Sequence, residues 1–194
     1  MTQKTSKNAA RTRLFHAGIA GLPTTGRVTK YPAMNLADKI LSTADLARWR
    51  EQLRQAGRKL VVTNGCFDVL HVGHVTYLEQ ARCQGGALLV GVTNDAGVRQ
   101  LKGPGRPLNS AEDRAALLAA LQSVDAVHVF QELDARVFLT AIQPDIYVKG
   151  GDYTLDTINQ DERQMLEVAG VKIVILPVVP GKSTSALLKK IQRL

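Results

Sequence analysis

The stretch Lys59-Leu60-Val61-Val62-Thr63-Asn64-Gly65-Cys66-Phe67-Asp68-Val69-Leu70-His71-Val72-Gly73-His74 constrains this chain more than any other. Its apolar start reads as a strand, Gly65 breaks that strand, and a helix restarts around Gly73. A strand that turns straight into a helix leaves free backbone N–H groups and the positive end of a helix dipole at one point. That is a ready anion site. His71 and His74, three positions apart, flank it. His74 falls in the first helical turn, where its ring can aim at a bound phosphate, and Gly73 lets the phosphate approach the backbone. A single histidine near a loop would carry little weight. Strand, Asn-Gly turn and His-x-Gly-His together point to phosphate chemistry.

The rest of the chain repeats the strand–helix alternation. Ser42-x-x-Asp45 reads as a capping box for a helix with Leu46, Trp49 and Leu53 on one face, ended by Gly57. After the motif turn, a helix from about Gly73 to Cys83 turns Val75, Leu78 and Ala81 inward. Ala87 to Val92 is a short buried strand, and residues 94 to 109 read as a polar loop. Ser110 caps a helix with Leu117, Leu118 and Leu121 inward. Asp125 to Phe130 forms a third strand, followed by a helix from Asp134 to Ile142. Ile146 to Val148 forms a fourth strand, a helix spans about Asp161 to Val168, and Val171 to Leu176 forms a fifth. A last helix starts at Ser183. Five alternations with short links predict an α/β fold: a single Rossmann-like doubly wound domain over residues 35 to 194. Its five-stranded parallel sheet carries helices on both faces. The polar motifs fall after strands one, two, four and five, at the carboxyl ends where such sheets bind ligands.

Charge sharpens the picture. Residues 1 to 37 hold six of the 25 Lys and Arg residues and no acid, which accounts for +6 of the net +8. The globular part is nearly neutral and lacks the basic face that a nucleic-acid partner needs. Residues 1 to 34 read as a disordered basic tail, with a composition that also resembles a transit peptide and with Met34 as an alternative start. No apolar run approaches the roughly 18 residues of a membrane span. Cys66 and Cys83 have no metal-site spacing and are too few for a disulfide framework, so a reducing cytoplasm fits.

The run from Thr63 to His74 resembles the HxGH nucleotidyltransferase superfamily. The similarity continues through Tyr77-Leu78-Glu79-Gln80-Ala81-Arg82, Val90 to Asp95, Leu101-Lys102-Gly103, Arg106-Pro107, Val148-Lys149-Gly150-Gly151-Asp152-Tyr153 and Ser183-Thr184-Ser185. This set is most similar to the superfamily's ADP-heptose-forming branch. The resemblance implies transfer of AMP from ATP to heptose 1-phosphate, for lipopolysaccharide, with a separate kinase and phosphatase supplying the acceptor. It also implies a homodimer or higher homo-oligomer and Mg²⁺ carried with the ATP, with no dedicated metal ligands.

In that reaction the acceptor phosphate attacks the α-phosphate and needs no protein nucleophile. The enzyme holds two anions in line and neutralises growing charge. The resemblance implies that His71, His74 and Lys102 are catalytic. It implies that Thr63, Asn64, Gly65, Phe67, Gly73, His74, Arg114, Ser183 and Thr184 bind nucleotide. It leaves Asp68, Lys102, Lys149, Gly150 and Asp152 toward the substrate. Plainer readings stay open: Lys102 and Arg106 as solvated loop charges, Arg114 paired with Glu112 or Asp113, and Lys149 paired with Asp152. Gly86 stands where the family usually has Asp, and Lys182 occupies the lead-in to the Ser-Thr pair. Glycerol-3-phosphate cytidylyltransferase, an FAD-synthetase-like adenylyltransferase and a nucleotide-sensing module remain alternatives.

Overall fold

The computed structural model describes residues 35–151, 153–177 and 179–194; the expected tail over residues 1–34 and Asp152 lie outside them. A short 3₁₀ helix, Leu36–Lys39, leads in. The elements then alternate as α1 (Thr43–Gln55), β1 (Leu60–Gly65), α2 (Val72–Arg82), β2 (Ala87–Thr93), α3 (Asp95–Lys102) and α4 (Ala111–Ala119). They continue with β3 (Ala126–Phe130), α5 (Arg136–Ile142), β4 (Ile146–Gly150), α6 (Gln160–Val168), β5 (Lys172–Leu176) and α7 (Thr184–Ile191). All the strand pairs are parallel, in the order β3-β2-β1-β4-β5. The chain reverses its direction of winding between β1 and β4, so their carboxyl ends open a crevice.

Strand periodicity divides the core in two. Leu60, Val62, Leu89 and Tyr147 face one layer with Leu46 and Leu53 of α1, Phe138, Leu139 and Ile142 of α5, and Leu166 of α6. Val61, Leu88, Val90 and Val148 face the other, with Leu78 and Ala81 of α2 and Ala115, Leu118 and Ala119 of α4. Strands covered on both faces read as continuous apolar runs, which is why β2 is buried along its whole length.

Three expectations change. Residues 94 to 109 are not one loop: α3 occupies Asp95–Lys102, so Lys102 ends a helix. Asn94 caps α3 by accepting the Gly97 N–H at 2.8 Å. Val98 is the one large apolar side chain that α3 buries, too few to leave a periodic signal. Leu117 and Val75 are exposed, at 47% and 40%; Leu118 is buried as expected, and Arg114 and Ala115 share the inward face of α4 with it. At the start of α1, the Ser42 hydroxyl donates to the Asp45 carboxylate at 2.6 Å and caps no backbone N–H.

β2 passes close to its neighbours at Gly91, where an added Cβ would lie 2.6 Å from the Phe138 ring and 3.2 Å from Asn64 Cβ. Overpacking of this kind costs about 1–3 kcal/mol. Gly91→Ala should therefore lower unfolding stability by that amount in a urea titration, with an unchanged m-value.

Candidate active site

Past Gly65 the chain leaves the sheet through Phe67, which sits at φ 46°, a left-handed conformation unusual for an aromatic residue. Its ring covers Gly65 and meets His74 edge-on at 5.5 Å. Two buried charges hold this turn. Asp68, 4% exposed, accepts the N–H groups of Leu108 at 2.6 Å and Asn109 at 3.2 Å and pairs with Arg106. Asn109 answers by donating to the Asp68 carbonyl at 2.7 Å. Burial alone would raise the Asp68 pKa. Arg106 and the two N–H groups outweigh it and hold the carboxyl below the usual carboxylate value.

Arg114 is the second charge. It is fully buried, donating to the Cys66 carbonyl at 2.6 Å, the Asn109 carbonyl at 3.1 Å and the Asp95 carboxylate at 2.7 Å. Its ion-pair partner is Asp95 on α3, not Glu112 or Asp113 on its own helix. The solvated-loop reading of Arg106 likewise gives way to its ion pair with Asp68. Asp68 and Arg114, expected to face substrate and nucleotide, are both committed to the turn in this structure. Asp95 escaped sequence reasoning. The Asn94 cap would have placed it in a helix's first turn, but its pairing depends on α4.

The turn delivers His71 to the N-cap of α2 and His74 to its first turn. The rings stack at 3.9 Å with 26° between their planes. Neither Nδ1 atom, both buried, has a hydrogen-bond partner among the described residues. Burial and the neighbouring His71 push His74 down to about 4, and burial and Lys182 push His71 below its ordinary value. Both rings are therefore neutral near pH 7. Gly73 leaves room for them: a Cβ there would lie 3.0 Å from the His71 ring and 3.1 Å from Lys182 Cβ.

A second helix start lies alongside. Ser183 caps α7, accepting the Ala186 N–H at 3.1 Å, and the Thr184 hydroxyl donates to the Val69 carbonyl at 3.4 Å. Lys182, Ser183 and Thr184 are thereby brought to the motif turn. Lys102, at the end of α3, is exposed and followed by Gly103 and Gly105, both at positive φ.

Across the sheet, Lys149 of β4 is 9% exposed and donates to Asn64 Oδ1 at 2.6 Å. Tyr147 OH lies 2.7 Å from the same oxygen and 3.0 Å from Glu162 Oε2. Thr63, buried on the α2 side, meets Tyr77 OH at 2.7 Å, and Tyr77 also donates to the Val148 carbonyl at 3.1 Å. Gly150 is where the Tyr77 ring passes, with 2.4 Å to a hypothetical Cβ. Tyr77, Tyr147 and Glu162 escaped sequence reasoning because each acts on a residue of another element. Among the described residues, no three His, Cys, Asp or Glu side chains cluster as metal ligands, and no helix is long and apolar enough to cross a membrane.

A cytidylyltransferase-like family model matches residues 62–189. Similar sequences include the bifunctional protein HldE of Mesorhizobium japonicum, 46% identical over 155 residues, covering 80% of this chain and 31% of that protein. HldE of Wolinella succinogenes is 46% identical over 159 residues, with 80% and 31% covered. This chain thus spans about a third of the length of these relatives. Among solved structures, the lipopolysaccharide core biosynthesis protein from Thermoplasma volcanium GSS1 superposes with a TM-score of 0.54 at 27% identity, covering 63% of this chain and 98% of that one.

The histidines give a signed pH dependence. Unfolded, His74 titrates near its ordinary 6.5; folded, near about 4. Between these values the unfolded chain binds more protons, so stability falls as pH drops through that window. Allowing for partial solvent screening, the loss is about 1–2 kcal/mol. Urea titrations from about pH 7.5 to 4.5 should show it, and His74→Gln should flatten the slope. The Asp68 contribution is present above its unfolded value of 3.8 and is lost only as pH falls below that, so it does not confuse the window.

Proposed function

Because the chain belongs to the cytidylyltransferase-like family, we propose that it transfers AMP from ATP to D-glycero-β-D-manno-heptose 1-phosphate, releasing pyrophosphate and ADP-heptose. The observation that carries this reading is the stacked pair His71 and His74, with unclaimed Nδ1 atoms, at the start of one helix and beside the start of another. Two helix N-termini and two imidazoles with no internal partner make a site for a polyphosphate. The similarity to the HldE proteins and to a lipopolysaccharide core biosynthesis protein supports a sugar phosphate as the acceptor.

The chemistry follows from charge. The acceptor phosphate is already a nucleophile, so the residues bind, align and neutralise. His71 and His74 are neutral in the free protein, which spares the site an internal counter-ion that ATP would have to displace. Bound phosphate favours the imidazolium form, so each ring strengthens its interaction as charge builds on the leaving pyrophosphate. The N-terminus of α7, with Ser183 and Thr184, receives the β- and γ-phosphates. Lys102 closes over the anions from the end of α3, on a segment that the following glycines let move. Asp68 and Arg114 act at one remove, fixing the turn that aims the histidines. Asp68 is engaged in the turn, so Mg²⁺ would be held chiefly by the nucleotide's phosphates and would neutralise part of their charge there.

Pyrophosphate release should appear with ATP plus heptose 1-phosphate, and not with CTP, nor with glycerol 3-phosphate as acceptor. Release from CTP with glycerol 3-phosphate would move the protein to a sister activity; silence in all four combinations would favour a nucleotide-sensing module. In the same assay His74→Ala should lower kcat about 10²-fold while KM for ATP moves less than about 3-fold, because the interaction strengthens in the transition state. Equal losses in both would remove His74 from that role.

A further inference from the structure

The amino edge of the sheet, at the end of β1 away from the motif turn, carries a second charged cleft that the proposed reaction does not use. It has a volume of about 220 Å³ and is lined by Arg50, Arg54, Gly57, Arg58, Lys59 and Asp145. Arg50 and Arg54 stand one turn apart on α1. Gly57, at φ 64°, bends the chain so that Arg58 and Lys59 come back to the same cleft before β1 begins. Four cations thus face one carboxylate.

The acids nearby are already engaged. Asp145 Oδ2 accepts the Leu60 N–H at 2.7 Å and pairs with Arg50 at 3.0 Å. Asp125 pairs with Arg82 at 2.5 Å and accepts the Leu88 N–H at 2.8 Å, which leaves Arg58 a contact at 3.3 Å. Glu51 lies 3.9 Å from Arg54. Lys59 is exposed, and no acid among the described residues pairs with it. Gly86, which stands where the family usually has Asp, accepts two bonds from Arg58 on its carbonyl, at 3.1 and 2.5 Å. A Cβ at Gly86 would lie 3.0 Å from Arg58 Cβ, so the position makes room for a cation and supplies no carboxylate.

A run of exposed lysines would be a solvated surface. Arg50 sets this edge apart. It is 5% exposed, and its Nε donates to the Gln143 carbonyl at 3.0 Å while its Nη2 meets Asp145. Its guanidinium is thereby fixed in the lining of the cleft, and Nη1 has no acceptor among the described residues. Arg54 is held from one side only, Nη2 to Gln143 Oε1 at 2.6 Å. Like charges one helical turn apart repel, and an anion between them removes that cost. Two oriented guanidinium forks match the oxygens of a phosphoryl group better than they match a halide. A drug-sized ligand fills a pocket of roughly 300–1,000 Å³, so this cleft suits something smaller. We propose that the amino-edge cleft binds a small phosphoryl oxyanion, inorganic phosphate or pyrophosphate, apart from the nucleotide site.

Phenylglyoxal labelling read by peptide mass spectrometry reports each arginine separately, so phosphate held at the motif turn does not obscure the result. Inorganic phosphate and pyrophosphate are each compared, on the full chain, with sodium chloride at matched ionic strength. At least one of them should slow labelling of Arg54 and Arg58 by about 5-fold or more, with no such effect from chloride and none at exposed Arg48. Lys59→Gln alters an exposed side chain and leaves the Arg50–Asp145 pair in place. It should raise the half-protecting concentration of that anion at least about 5-fold, with the Kd of α,β-methylene-ATP within about 2-fold. Equal slowing by chloride, equal protection at Arg48, or an unchanged half-protecting concentration in Lys59→Gln would overturn the site. Stronger protection by pyrophosphate would support a diphosphate site, and stronger protection by phosphate a site for the single phosphoryl group.

Discussion

The Arg114 guanidinium reaches from α4 to the Cys66 carbonyl, and the geometry of the whole carboxyl edge depends on that reach. A turn that leaves a sheet without repeating backbone bonds strands its polar groups, and the interior offers no water to satisfy them. Here side-chain charges take their place. Arg114 satisfies Cys66 and Asn109 and is neutralised by Asp95; Asp68 satisfies Leu108 and Asn109 and is neutralised by Arg106. Burying charge this way is tolerable because each group is both paired and hydrogen-bonded; an unpaired one would cost several kcal/mol. The same contacts tie α3 and the segment after it to the motif turn, so Lys102 is positioned through the partners of Arg114.

Holding the turn this firmly lets it keep costly features. Phe67 at positive φ and two buried imidazole nitrogens without partners among the described residues are each unfavourable by themselves. They persist because the surrounding bonds over-determine the backbone. In the proposed reaction a polyphosphate would relieve these terms, since its oxygens can take the missing partners' place and its charge opposes the downward push on the histidines.

The sheet keeps two polar networks apart, one on each face. Thr63 and Tyr77 fasten the α2 face to β4 through the Val148 carbonyl, while Asn64, Lys149, Tyr147 and Glu162 form a polar column on the opposite face. Successive residues of β1 point to opposite layers, so adjacent positions Thr63 and Asn64 join different networks, one with Tyr77 and the other with Tyr147 and Lys149. An extended strand can do this with one residue of spacing; a helix cannot.

Much of this was legible in the order of residues. Apolar runs of strand length, separated by amphipathic segments and capping residues, specify a parallel α/β sheet, because periodicity and capping are local. The strand–turn–helix with His71, Gly73 and His74 specifies a candidate anion site for the same reason: the dipole and the free N–H groups belong to the local backbone. Short α3 was hidden because it buries a single large apolar side chain; on α4 Leu118 faces inward as expected, but Leu117 is exposed and the buried Arg114 was not foreseen as part of that face. What only the tertiary structure decided is which charges are available to a ligand. Asp68 and Arg114 look like site residues by resemblance, yet long-range partners 19 to 48 positions away commit them to the turn. Sequence fixes where a charge sits along the chain, but its partner is chosen by how helices and strands pack, and that choice depends on distance in space.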